Sequence, residues 1–224
     1  MKNDNAGVLI RYKHGSQFGK LTAVTIALDK NPENILIITA KPLIHYWVEY
    51  LKRFDPERFI PCVPRRSTKE KVVEIKKFLK TKEESKTKVV LLNYESVWRP
   101  GLGPVRHKFY RLIDKGVIGE KKWDVIILDH CEKIKNNFTL CSKFIHRLHG
   151  KKRIAISREN LCEPLFFHSI YKFLDRNIFG LSFARFKHEY FIFGGFFNTE
   201  IVGYKNQTDF IEKAKSIVID ESES

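Results

Sequence analysis

Apolar residues follow two rhythms along this chain. Five short runs are continuous: GVLIR (7–11), ILIIT (35–39), KVVLLN (88–93), WDVIILD (123–129) and RIAIS (153–157). They are rich in β-branched residues and do not alternate with polar ones, so they predict strands covered on both faces. Between them apolar positions recur at helical spacing: Leu43, Trp47, Tyr50, Leu51 and Phe54; then Val72, Ile75 and Leu79; then Phe138, Cys141, Ile145 and Leu148. Strand and helix in alternation predict an α/β fold, a parallel sheet with right-handed crossovers and helices on both faces. Ligands of such sheets bind beyond the carboxyl ends of the strands, which directs attention to the residues after each run.

The last third has a different texture. Aromatics crowd residues 164–197 in LFFHSIYKFLDRNIFG and FARFKHEYFIFGGFF, which predicts helices packed on one flank of the sheet. A hairpin is expected in GGFFNTEIVGYKN, followed by a helix carrying Phe210, Ile211, Ala214, Ile217 and Val218. This divides the chain into a core lobe, 1–160, and a helical and hairpin extension, 161–224. The acidic end DESES is expected to fray, and the Lys-rich KTKEESKTK (80–88) reads as a solvated loop. There are no internal repeats.

Charge narrows the partner. Among 224 residues, 41 Lys and Arg stand against 26 Asp and Glu, a net charge of +15. Such an excess favours a polyanion such as nucleic acid over an acidic small molecule, although a basic surface can be merely solvated. The clusters Arg65–Arg66, Lys76–Lys77 and Lys151–Lys152–Arg153 could contact phosphates on this reading. The four cysteines form no C-x-x-C pair and no regular metal spacing, so neither disulfides nor structural zinc is expected, and an intracellular protein is. No apolar run approaches a membrane span, and the N-terminus lacks a signal-peptide pattern.

The strand ends hold the candidate chemistry. The first strand runs into KHGSQFGKLTAVTIAL, where Gly19 and Lys20 stand at the mouth of a helix, as in a phosphate-binding P-loop. The match is partial: the first glycine of G-x-x-x-x-G-K-[ST] falls at His14, with Gly15 one step late. The magnesium-binding hydroxyl falls at Leu21, with Thr22 one residue beyond. Taken alone, Gly-Lys before a helix also suits a structural turn. The fourth strand ends in LDHCEKIKN, where Asp129 occupies the place of a metal-holding carboxylate. A second acid usually follows to orient water; here His130 follows, and Glu132 lies two residues on. His14, His130 and His146 are not spaced as metal ligands, and Cys131 beside His130 reads more simply as packing than as a nucleophile pair.

Several segments together resemble the Swi/Snf-type superfamily 2 helicases. WDVIILDHCEKIKNNFTLCSKFIHRLHGKKRIAIS is similar to that family's W-D-x-x-I-x-D-E-A-H-x-I-K-N, helix, R-x-x-L-T-G-T-P. IITAKPLIHYWVEYLKRF resembles its C-P-K-x-x-x-x-W-x-x-E-x-x-K-F, and LLNYESVWR its N/T-Y-E segment. FLDRNIFGLSFARFKHEYFIFGG looks like F-G-x-S-F-x-x-F-x-x-x-Y of the smaller prokaryotic and phage-type members. The likeness is co-linear over nearly the whole chain.

The resemblance implies the N-terminal RecA-like lobe of an ATP-dependent translocase, using ATP and Mg²⁺ on duplex DNA in a bacterial or phage-infected cell, cytoplasmic or nucleoid-associated. It assigns Gly15, Gly19, Lys20 and Thr22 to nucleotide, Asp129 to Mg²⁺ and catalysis, and Lys41, Asn93 and Arg99 to DNA. His130 stands at the family's catalytic Glu, and Ser157, Arg158, Glu159 and Asn160 replace T-G-T-P. In the family a second RecA-like lobe supplies the arginine finger, and the expectation is that such a lobe, or a partner protein, acts in trans. Framework positions Trp47, Tyr94, Trp123, Asp124, Phe179 and Phe183 fit the pattern where the nucleotide site departs from it. Two readings remain: an ATP-binding motor lobe impaired in hydrolysis, and a non-catalytic pseudo-ATPase that holds DNA or a protein partner.

Overall fold

A computed structural model of the chain describes residues 7–12, 18–64, 67–82, 85–99, 116–157 and 164–220. Strands β1 (Val8–Arg11), β2 (Asn34–Thr39), β3 (Phe59–Cys62), β4 (Thr87–Asn93), β5 (Lys122–Asp129) and β6 (His149–Ser157) join β9 (Val218–Asp220) in one sheet. Its order is β3-β4-β2-β5-β6-β1-β9, and every pairing is parallel. This is a RecA-like α/β sheet, as the strand-helix alternation predicts.

The continuous apolar strands feed two cores. Alternate residues of a strand point to opposite faces. Ile35, Ile37, Val125, Ile127, Ile154 and Ile156 therefore pack against helices α1 (Phe18–Leu28) and α2 (Ile44–Phe54). Leu36, Ile38, Ile126, Leu128 and Ala155 face the other way. That second face is covered by α3 (Thr68–Lys80), α4 (Tyr94–Val97), α5 (Gly116–Glu120), α6 (Leu140–Ile145) and α7 (Pro164–Leu174). Helix α3 opens with a full capping box, Ser67 accepting from the Glu70 amide while the Glu70 carboxylate accepts from Ser67.

Beyond α7 lie α8 (Arg176–Phe179), α9 (Phe183–Tyr190), the antiparallel hairpin β7 (Phe191–Gly194) with β8 (Glu200–Tyr204), and α10 (Gln207–Lys215). The predicted aromatic flank is real: Phe179, Phe186, Tyr190 and Phe210 form a cluster of mostly edge-to-face and tilted rings on the α7 side.

Four expectations need correction. Strand β3 was not foreseen: it is four residues long, contains Pro61 and lies at the sheet edge, where a missing N–H is tolerated. Val218 is not helical. Helix α10 stops at Lys215 and the chain joins the open side of β1, Leu9 beside Val218 and Ile10 beside Ile219. The helix expected across 138–148 is only α6, because Thr139 caps it by accepting from the Ser142 amide, leaving Phe138 outside and 64% exposed. The hairpin begins earlier than expected, at Phe191, within residues read as helical.

Candidate nucleotide site

The carboxyl ends of the strands are aligned. Ile38 lies beside Leu128 in the register of β2 with β5, and Thr39 beside Asn93 in that of β2 with β4. Thr39 and Asp129 continue the α1/α2 face by the same two-residue parity that places Ile37 and Ile127 there. Asp129 is fully buried, and its two oxygens differ. Oδ2 accepts two hydrogen bonds, from Thr39 Oγ1 at 2.9 Å and from Trp47 Nε1 at 2.8 Å. Oδ1 is buried and has no hydrogen-bond partner among the described residues. The backbone carbonyl of Asp129 accepts from the Tyr94 hydroxyl at 2.9 Å. Burial first, then nearby Cys131 and Asp129, push the Tyr94 phenol well above its ordinary value, so it remains a donor.

Lys20 reaches the same place from the first turn of α1. Its ammonium lies 5.5 Å from the centroid of the Trp47 ring and 5.7 Å from that of Tyr46. Gly19, beside it, is required by packing: a Cβ there would meet Tyr12 Cδ1 at 2.6 Å and Ile156 Cγ2 at 2.9 Å. The glycine lets α1 approach the sheet closely. Leu21 is 49% exposed and Thr22 half-buried on the same helix. His14 and Gly15 lie outside the described residues, as do Arg65–Arg66 and residues 158–160.

After Asp129 the chain turns sharply. His130 adopts the left-handed conformation, φ 61° and ψ 55°, and a 3₁₀ turn, Cys131–Ile134, follows. The His130 Nδ1 is 2.7 Å from Glu132 Oε1. Glu132 thus bonds the histidine through Oε1; its Oε2 and His130 Nε2 are buried without partners among the described residues. Cys131 is fully buried, and burial, then Glu132 and Asp129, hold its thiol well above its ordinary value, which removes it as a nucleophile.

The residues expected at DNA follow β2 and β4. Lys41 opens the exposed 3₁₀ turn Lys41–Leu43 just after β2. Asn93 ends β4, donating to Glu95 Oε2 at 2.6 Å and accepting from the Ser96 hydroxyl at 2.7 Å. Arg99 is exposed, its guanidinium 5.3 Å from the centroid of the Trp98 ring. Neighbouring strands thus place Lys41 and Asn93 at the end of the sheet that carries Asp129. The cluster at 151–153 belongs elsewhere. Lys151 pairs with Asp124 at 2.7 Å, Lys152 with Asp29 at 3.6 Å, and Arg153 donates to the Phe173 and Leu148 carbonyls. Burial alone would raise the Asp124 carboxyl, but Lys151 and the Asn34 and Glu33 amides outweigh it and leave it lowered.

Trp47 and Tyr94 fit the sequence pattern as framework positions, and only the fold reveals that both hold Asp129 and that Thr39 does too. One signal was present: a buried indole N–H needs an acceptor, and Trp47 is fully buried.

Comparison with known proteins agrees with this architecture. The Sulfolobus solfataricus SWI2/SNF2 ATPase core in complex with dsDNA superposes with a TM-score of 0.66 at 20% identity, over 96% of this chain and 40% of that one. The S. solfataricus SWI2/SNF2 ATPase core domain gives 0.62 at 20% identity, over 96% and 39%. The chain thus spans about two fifths of the length of these solved cores. No curated protein matches it in sequence. The model of the SNF2-related domain matches residues 12–192, most of the chain and all of the site described above, and the protein therefore belongs to the SNF2-related domain family.

Proposed function

We propose that this chain is a RecA-like motor lobe that binds Mg-nucleotide and duplex DNA but is impaired in hydrolysis. The observation that carries the reading is the divided carboxylate of Asp129: one oxygen held by protein donors, the other buried and unpartnered at the carboxyl end of β5. A buried carboxylate oxygen without a donor is costly, and a divalent cation or its water would relieve it. The residues fit the group in part. Asp129 would hold the metal side and Lys20 the phosphates, while Leu21 lacks the hydroxyl that usually joins them. Mg²⁺, when bound, neutralises phosphate charge.

Hydrolysis is where the fit fails. His130 is turned into the left-handed region, so an imidazole stands where this family has its water-orienting acid, and the nearest acid, Glu132, is tied to that imidazole through Oε1. The second reading, a lobe that holds DNA without nucleotide chemistry, is favoured by the net charge of +15 and by Lys41 and Asn93 on adjacent strand ends. The dsDNA seen with the S. solfataricus core supports DNA as the polyanion for either reading.

Calorimetry of Mg-ATP with the purified chain distinguishes them. Saturable binding, abolished by Lys20→Ala and accompanied by negligible phosphate release, is the expected result. Absence of binding would leave the DNA-holding reading standing alone.

A further inference from the structure

We infer that Trp47, together with Thr39, is a positioning residue for the nucleotide site, fixing the Asp129 carboxylate through Oδ2 and leaving Oδ1 for the metal that Asp129 would hold; the inference rests on the nucleotide-binding reading above. Both donors converge on a single oxygen, Oδ2, at 2.8 Å and 2.9 Å. Two donors on one oxygen restrain the carboxylate from rotating about its Cβ–Cγ bond, and they leave the second oxygen uncommitted. The donors come from independent elements, Thr39 from the end of β2 and Trp47 from α2, while Tyr94 anchors the Asp129 carbonyl from α4. The carboxylate is therefore held from two elements and the backbone behind it from a third.

Trp47 also touches the other charged group of the site. The Lys20 ammonium lies 5.5 Å from the centroid of its ring, while the indole N–H points at Asp129. One side chain thus sets the spacing between the phosphate-binding cation and the metal-binding anion. A tryptophan serving only to fill the core would need an acceptor for its N–H, and a carbonyl would be enough. Here the acceptor is a buried carboxylate, and a partner behind a metal ligand typically governs its affinity.

The test separates positioning from packing. Affinity for ADP is measured by calorimetry with saturating Mg²⁺ and again with EDTA, for the native chain, Trp47→Phe and Thr39→Val. Trp47→Phe keeps an aromatic body and removes the N–H. The expected result is a roughly 10- to 100-fold loss of Mg-ADP affinity, with metal-free ADP binding as in the native chain. Thr39→Val moves the same ratio in the same direction and carries the test if Trp47→Phe does not fold. Equal weakening with and without Mg²⁺, or no change in either, overturns the positioning role alone. Failure of the native chain to bind ADP under both conditions overturns the nucleotide-binding reading and this inference with it.

Discussion

Two buried histidines near the site make stability depend on acid. His146 Nε2 lies 2.9 Å from the Ser169 carbonyl oxygen, and His168 stacks among Phe183 and Phe186. Burial first, then cations such as Lys172, lowers each from 6.5 to about 4. Among the described residues the charged groups acting on His146 are Lys172, His168 and Arg176 and the one on His168 is Lys172, and backbone hydrogen bonds at Ser169 and Gly180 offset the desolvation only in part. A lowered histidine remains neutral when folded, and its contribution is complete above pH 6.5 and is lost as pH falls toward 4. We expect urea unfolding to show a loss of about 2 kcal/mol per histidine between roughly pH 7.5 and 5. His146→Gln should flatten the profile by about that amount; an unchanged profile would refute the assignment. The readout is relevant to the site because Ser169 also donates to the Ile134 carbonyl at the end of the turn that follows Asp129.

At the scale of elements, the position of α1 matters most. Helix α1 brings Lys20 to the Trp47 ring only because Gly19 lets it lie against Tyr12 and Ile156. A methyl at this point meets atoms from both, and neither is the loose end of a flexible chain. Gly19→Ala is therefore expected to destabilise the protein by about 1–3 kcal/mol, read as a lower melting temperature. Any gain in helix propensity from alanine works in the opposite direction and is smaller, about 1 kcal/mol. A variant as stable as the native chain would show that α1 can shift outward without penalty.

For the whole molecule, the relevant quantity is the positive charge and where it points. Lys151 and Lys152 are ion-paired and Arg153 donates to carbonyls, whereas Lys41, just after β2, and Arg99, just beyond α4, are exposed. Duplex DNA binding by this face should fall linearly in log–log plots against salt. Lys41→Ala and Arg99→Ala should each reduce the slope by about one, while Lys151→Ala leaves it unchanged. Binding that is insensitive to salt, or a slope altered equally by Lys151→Ala, would exclude this face as the contact. Among the described residues no helix is long and apolar enough to cross a membrane.

The parallel α/β sheet, its two covered faces and the aromatic flank were legible in one dimension, because burial on both faces imposes continuous apolar strands and helix packing imposes a 3.6-residue repeat. Asp129 at a strand end was legible for the same reason. Strands β3 and β9 were not: Pro61 interrupts the apolar run of β3 and β9 has only three residues, and both exist because neighbouring strands offer unpaired backbone groups. The convergence of Thr39, Trp47 and Tyr94 on Asp129 was likewise hidden. These residues lie 35 to 90 positions from Asp129 in sequence for the three hydrogen bonds, and only the stacking of β2, α2 and α4 around β5 brings them together. Local pattern settles which segments become strands and helices, whereas hydrogen-bond partners in a buried site depend on distances that exist only after the layers have packed.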